Sequence, residues 1–252
     1  MRTTTSVLLV LALAAAGADA DARPPQAWVT VSGQVVLPPD VPLPVPKLLP
    51  NGAADESILV DAKTRGVKNV VVWLRSDDQN PKSKLAPADI HPADAKRLPR
   101  AQLIRFTPLL TFEPRVLNTR VGDTLIVQNQ AQVPANFFWT SGNNGNINAV
   151  IPAGQFFRGP AALAAESPPI GYKSNAVPEA VGYLRVFEHP YHAATDAEGK
   201  FELHDAPVGK YRLVYWHEKV GFKDGAKGRF GIPVEITRDT VAFPPLAFDV
   251  TK

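Results

Sequence analysis

Cysteine is absent from the 252 residues. Disulfides, thiolate metal sites and cysteine nucleophiles are thereby excluded, and stability has to come from core packing. No run of lysine and arginine is interleaved with aromatics, and the net charge is only +3, so nucleic-acid binding is not expected. After the N-terminal apolar run, no segment is long and apolar enough to be a membrane helix. A G-x-S-x-G elbow is missing, and single Ser, His and Asp residues are too scattered to form a triad, so no enzyme activity is expected. The paired acids Asp55-Glu56 and Asp77-Asp78 lie in loop sequence beside bases and read as solvated surface. Long helices are disfavoured by proline, which at 25 residues is about twice ordinary usage.

What is present begins with a secretory signal over Met1–Ala22. Arg2 supplies the positive n-region, Val7–Ala16 is an apolar run too short to span a bilayer, and Ala18-Asp19-Ala20 and Ala20-Asp21-Ala22 offer small-x-small cleavage sites. The mature chain is therefore expected to be periplasmic or secreted. Trp28–Leu37 reads as a strand in which Gly33 marks a bulge or a close backbone approach. Pro38–Pro50 is too rich in proline for a central strand and reads as an extended surface arm. Ser57–Asp61 and Val67–Leu74 read as strands, the second so uniformly apolar that both its faces should be covered. Asp77–Arg100, polar and proline-rich with one helical turn near Pro92–Arg97, reads as a crossing between domains. In Leu103–Asn129, the Val121-Gly122-Asp123 turn should let two antiparallel strands pair.

The stretch His189–Glu218 is the most legible part of the chain. In Thr195-Asp196-Ala197-Glu198-Gly199, Asp caps the backbone two residues on and Gly supplies the positive φ. Phe201 and Leu203 alternate with polar residues, and Lys210–Trp216 alternates as a strand covered on both sides. This phrase, TDxxGxFxLxxxPxGxYxLxxWHE, resembles the carboxypeptidase-regulatory-like (transthyretin-like) β-sandwich segment that ends a family of secreted bacterial cupredoxin-like proteins, often labelled methylamine utilisation proteins. Leu103–Asn129, Asn148–Gly154 and Glu166–Pro169 also resemble family phrases, in order, so the resemblance spans nearly all of the mature chain.

The departures from that family are specific. In copper-binding members the strand ending here at Asn129 is followed by a phrase like NxDxxxHN, whose His is a copper ligand. Here Ala131 stands at the Asp and Ala135 at the His, while the flanking Asn129 and Asn136 remain. A later CxxHxxM supplies the other ligands in the family. Counting back from His189 places Ser174, Val177 and Ala180 at those positions, and Leu110 and Arg115 replace the Cys and His of an upstream CxFxPH. A blue-copper site needs two imidazoles and a thiolate. The resemblance therefore implies a cupredoxin-like fold without its type 1 copper, with no metal or other cofactor expected.

Of the histidines, His189-x-x-His192 has ligand-like spacing only on a helix, which Pro190 opposes. These rings read as a turn bonded to backbone groups. His189, Tyr191, Trp216 and His217 read as structural pins, with Trp216 and His217 tying a strand end to the neighbouring domain through the imidazole N–H. Asn143, Asn144 and Asn146, beside Phe138 and Trp139, form an amide-rich turn near the former copper end: either a hairpin loop with a type I′ turn at Asn144-Gly145 or a polar recognition loop. The fold class expected is all-β, a cupredoxin-like Greek-key sandwich combined with a transthyretin-like one. The expected domains are a discontinuous regulatory-like sandwich over 27–80 and 189–252 with a cupredoxin-like sandwich, 103–188, inserted. The alternative is one continuous unit to Glu188 followed by a small C-terminal sandwich. The expected function is a non-enzymatic binding or scaffold protein, whose partner would be another periplasmic protein or a glycan. The alternatives are a metal-binding or electron-transfer protein using a non-standard His site, or a carbohydrate-associated module.

Overall fold

The computed structural model describes residues 26–252 apart from 79 and 81, so the signal reading of Met1–Ala22 lies outside the described residues. The chain is all-β. Its strands are β1 Trp28–Val36, β2 Val71–Ser76, β3 Ala101–Phe106, β4 Phe112–Glu113, β5 Val116–Arg120, β6 Thr124–Asn129, β7 Ala135–Trp139, β8 Ile147–Ile151, β9 Phe156–Arg158, β10 Glu166–Lys173, β11 Val181–Phe187, β12 His192–Ala194, β13 Lys200–Pro207, β14 Gly209–His217, β15 Gly221–Phe222, β16 Ile232–Ile236 and β17 Leu246–Ala247. Helix among the described residues is confined to one turn, α1 (Pro92–Ala95), and two 3-10 segments, Pro87–Asp89 and Gly225–Phe230.

Four sheets form two layered pairs. In the first pair, β13-β1-β17 faces β12-β2-β14, with β15 and β16 also on β14. Val31 and Val35 of β1, Phe201 and Leu203 of β13, Val72 and Leu74 of β2, and Tyr211, Leu213 and Tyr215 of β14 share one buried cluster between them. In the second pair, β4-β3-β6-β9 faces β5-β11-β10-β7-β8, with Ile104, Phe106, Val127, Phe137, Trp139, Tyr172 and Leu184 packed between. The alternate residues of β2 and β14, Val71, Trp73, Val214 and Trp216, face outward from the first core. They meet Val116 and Phe187 of the second pair in a third cluster. Both faces are thus covered along Val71–Leu74 and Leu213–Trp216, which is why those stretches are apolar throughout.

Two local features follow from the chemistry read in the sequence. The Asp196 carboxylate accepts from the N–H groups of Glu198 and Lys200, each at 2.9 Å, and Gly199 takes φ +75°. The Phe201 ring covers Gly33: a Cβ there would lie 2.3 Å from ring carbon Cζ, and the register slips between Val29 and Val31. The turn is also packed from outside. Thr195 Oγ1 donates to the Val67 carbonyl at 2.6 Å and accepts from Val70 N–H at 2.9 Å, and a Cβ on Gly66 would sit 1.8 Å from the Glu198 carbonyl oxygen. Because that obstacle is backbone, Gly66→Ala is expected to cost about 3 kcal/mol. Gly52→Ala, at φ +81° with open space around it, should cost only about 1 kcal/mol. Urea unfolding of the two variants checks the difference, and equal losses would mean the contact at Gly66 relaxes freely.

Several expectations are corrected. Ser57–Asp61 is not a strand but a capped turn region: Asp55 Oδ1 accepts from Ser57 N–H, Asp61 Oδ1 accepts from the N–H groups of Lys63 and Thr64, and only a Val60–Val67 bridge pairs. Side-chain caps outcompete the ladder there. After the 3-10 segment Gly225–Phe230, β16 begins at Ile232, and β17 is only two residues long, Leu246–Ala247. The Gly122-Asp123 turn does not close a hairpin. β5 runs parallel to β11 in one sheet and β6 parallel to β3 in the facing one. Asp123, fully buried, pins this corner by accepting from Arg100 N–H (2.8 Å), Thr119 Oγ1 (2.7 Å), Gln102 Nε2 (2.8 Å) and Arg97 (2.9 Å). Burial alone would raise this carboxyl, but these hydrogen bonds outweigh it and hold it at about 2.

Candidate functional site

Ala135, Ser174, Val177 and Ala180, which the sequence resemblance matches to ligand phrases, sit at one end of the second sandwich. Ala135 opens β7, and Ser174, Val177 and Ala180 lie in the loop joining β10 to β11. β7 pairs with β10 through Trp139–Tyr172 and Phe138–Lys173, and Asn175 N–H donates to Asn136 Oδ1 at 2.8 Å, which brings the loop beside the start of β7. Ala135, Ser174 and Ala180 are buried, and Val177 packs on the same core. Ser174 Oγ accepts from the N–H groups of Ala176 (3.2 Å) and Val177 (3.1 Å), and Ser174 N–H donates to the Ala180 carbonyl at 2.9 Å. Asn129 holds the preceding loop by donating to the Val133 and Ile151 carbonyls and accepting from Ala131 N–H. The donor set does not fit copper. Two methyls and an isopropyl group cannot ligate, and the one hydroxyl is already the loop's cap.

The amide-rich turn lies at the other end of β7, not near Ala135; five residues of strand, about 16 Å at 3.3 Å per residue, separate them. Only Gly145 of its Asn-Gly pair has positive φ, so the type I′ turn is not adopted. Its side-chain amides bond partly within the turn and to the segment 164–166. Asn143 donates to the Ala165 carbonyl, Asn144 to the Ala164 carbonyl and the Glu166 carboxylate, and Asn146 accepts from Ser141 N–H. Trp139 is fully buried and donates to the Gly145 carbonyl at 3.1 Å, while Phe138 lies outside under Lys173. The loop therefore braces Glu166, while Asn143 and Asn146 stay exposed at the surface.

The structural pins differ in kind from the sequence reading. The imidazole N–H of His217 does not tie the two sandwiches: Nδ1 accepts from Lys219 N–H at 3.4 Å and Nε2 is buried without a partner among the described residues. The tie is the next residue. Glu218 accepts from Arg115 Nε at 2.5 Å and Nη2 at 2.8 Å, and Trp216 meets Tyr183 edge to face at 5.3 Å. Nor do His189 and His192 bond backbone through their sealed nitrogens. His192 stacks on Phe187 at 4.2 Å, and His189 stacks on Tyr191, whose hydroxyl donates to the Asp89 carbonyl at 2.9 Å.

A cleft of about 750 Å³ opens at the junction, at the end of β10 and β11 remote from Ser174–Ala180. That volume is in the range of small-molecule sites. Its floor holds Trp73 and Phe187, with the Arg185 guanidinium 5.0 Å and 4.9 Å from their ring centres. Burial pushes Arg185 down to about 10. Sequence reasoning missed this residue; its signal was a lone arginine in the otherwise apolar strand VGYLRVF. One potential metal-ligand group also converges among the described residues: His91, Asp94 and Asp205 offer ligand atoms within 4.8 Å of one another. There Arg120 Nη1 lies 3.1 Å from the Asp94 carboxylate and already balances part of its charge.

No family model matches the chain, and no curated protein matches it. Among solved structures the chain is similar to a Cu(I) amicyanin mutant at 20% identity and TM-score 0.30, over 34% of this chain and 82% of that one. It is similar to a purple cupredoxin from Nitrosopumilus maritimus at 21% identity and TM-score 0.29, over 34% and 98%. A copper-containing nitrite reductase from Thermus scotoductus SA-01 follows at 17% identity and TM-score 0.31, over 37% and 23%. No residue's role is carried from them to this chain.

Proposed function

We propose that the chain is a periplasmic or secreted, non-enzymatic binding or scaffold protein whose second sandwich is a cupredoxin-like unit without a type 1 copper centre. We also propose that this unit, 103–188, is inserted into a regulatory-like sandwich; the antiparallel pairing of β1 with β13 supports that arrangement. One observation carries the functional reading: the positions that match the family's ligand phrases hold Ala135, Ser174, Val177 and Ala180, closed into the core with the Ser174 hydroxyl committed to backbone. Function resides in site residues, not in the fold.

Copper titration tests this directly. The wild-type protein is expected to bind no stoichiometric Cu(II), whereas the combined variant Ala135→His, Ser174→Cys, Val177→His, Ala180→Met is expected to show an intense visible thiolate-to-copper band. Tight one-to-one copper on the wild type would overturn the reading in favour of metal binding at histidine, for which His91, Asp94 and Asp205 are the group to replace first. A colourless variant that is folded would overturn the alignment.

A further inference from the structure

We infer that the junction cleft is a binding site for a small organic carboxylate with an aromatic or apolar body, and that Arg185 receives the carboxylate. The inference deepens the binding reading above and rests on it only for the premise that the chain holds a ligand.

Arg185 is nine-tenths buried, with a relative exposure of 9%, and lines the cleft. Its Nη1 donates to the Glu166 carbonyl, its Nε has no partner among the described residues, and no described carboxylate lies within ion-pair distance. A buried cation without a counterion is costly, and proteins ordinarily supply one. The cleft's own acids are not available for that task. Asp94 is paired with Arg120, Glu188 with Lys84 at 2.5 Å, and the Glu166 carboxylate accepts from Ser141, Asn144 and the N–H groups of Gly142 and Asn143. Lys82 and Arg229, at the rim, make no ion pair among the described residues. The cleft therefore carries more cations than acids, and its deepest cation, which Glu166 and Glu188 offset only from a distance, has no ion-pair partner among the described residues.

The walls select the rest of the ligand. Trp73 and Phe187 hold the guanidinium by cation–π contact, which fixes its plane. Phe222 adds a third aromatic wall, 6.1 Å from Trp73. A hydrated inorganic anion would leave these rings unused, whereas a benzoate-like molecule places its charge on Arg185 and its ring among them. With Nη1 on the Glu166 carbonyl, the guanidinium offers a charge-assisted hydrogen bond, which is stronger to a carboxylate than to a neutral amide.

Benzoate is the probe, benzamide its neutral isostere and inorganic phosphate the apolar-free anion, each titrated into the full mature chain while tryptophan fluorescence and melting temperature are followed. Benzoate is expected to saturate with a Kd of about 1 mM or tighter, and benzamide and phosphate to bind at least about tenfold more weakly. Arg185→Met, which keeps an apolar stem, is expected to remain folded by circular dichroism and to lose the benzoate response. Equal shifts by benzoate and benzamide, saturation by phosphate alone, or undiminished benzoate binding by Arg185→Met would each overturn the assignment. The wild-type comparison of benzoate with benzamide decides the matter even if Arg185→Met does not fold. Failure of benzoate with no copper bound sinks only this inference; tight copper on the wild type sinks only the earlier one.

Discussion

Acidification from pH 7 to pH 5 is expected to destabilise the fold steeply, through three histidines rather than through carboxylates. Both ring nitrogens of His192, Nδ1 of His189 and Nε2 of His217 are sealed from water with no partner among the described residues. Burial pushes His189 down to about 3, His217 to about 4, and His192 well below its ordinary value. Neighbouring cations add to this: Arg120 and Arg185 beside His189, Arg97, Arg120, Arg185 and His189 beside His192, and Arg115 and Lys219 beside His217. In the unfolded chain the same rings take up protons near pH 6.5. The unfolded state then binds more protons than the folded one, so this stability is full above pH 6.5 and falls as the pH drops toward about 4. Each ring kept neutral costs about 1.4 kcal/mol per pH unit in that window. Three together approach 4 kcal/mol per unit, roughly half of a typical domain's stability. Asp123, held at about 2, contributes a separate loss at lower pH, as its carboxylate is protonated between about 4 and 2. Urea midpoints at several pH values would read the slope, and His189→Gln should flatten it by about one proton. A midpoint unchanged down to pH 5 would show that the rings accept protons in the folded protein.

The second large effect belongs to Glu218. Its carboxylate and the Arg115 guanidinium are 3% and 9% exposed, and burial of Arg115 would lower its pKa were it not for Glu218, which raises it. Glu218→Ala leaves a buried cation with no counterion and is expected to cost about 3–5 kcal/mol. Replacing both partners, Arg115→Leu with Glu218→Leu, should recover much of that, because a buried pair is dear to break and cheap to exchange for apolar groups. Denaturant unfolding of the three proteins tests it. Were Glu218→Ala within about 0.5 kcal/mol of the wild type, the range of ordinary surface changes, the pair would not be the clamp its geometry describes.

How far the sequence could be read depended on distance along the chain. The Asp196–Gly199 turn was legible because every group that makes it lies within a few residues. The corner at Gly122-Asp123 was legible as a turn but not as a sheet crossing, since the partners of β5 and β6, namely β11 and β3, are set by packing elsewhere. Ser57–Asp61 looked like a strand by composition, and the aspartates at its edges cap turns instead. At Ala135, Val177 and Ala180 the sequence named residues that lack donors, while the structure added the hydroxyl of Ser174 folded back on its own loop. The cleft was invisible because its floor joins Trp73 of one sheet pair to Arg185 and Phe187 of the other. The clamp was half visible: Arg115 stood out as a departure from the phrase it resembles, and Glu218 closed the phrase that carried the resemblance.

The pairing of β1 with β13 has a kinetic consequence. Trp28 sits opposite Pro207 and Gln34 opposite Lys200, so β1 waits for a strand about 170 residues later in the chain before its ladder can close. Loop closure over such a span slows folding, while the strands between β3 and β11 find partners among themselves meanwhile. During that interval β1 presents an open apolar edge, the kind of surface that pairs with whatever strand arrives first. Chain order thus makes the molecule most vulnerable to misassembly at β1, before β13 arrives.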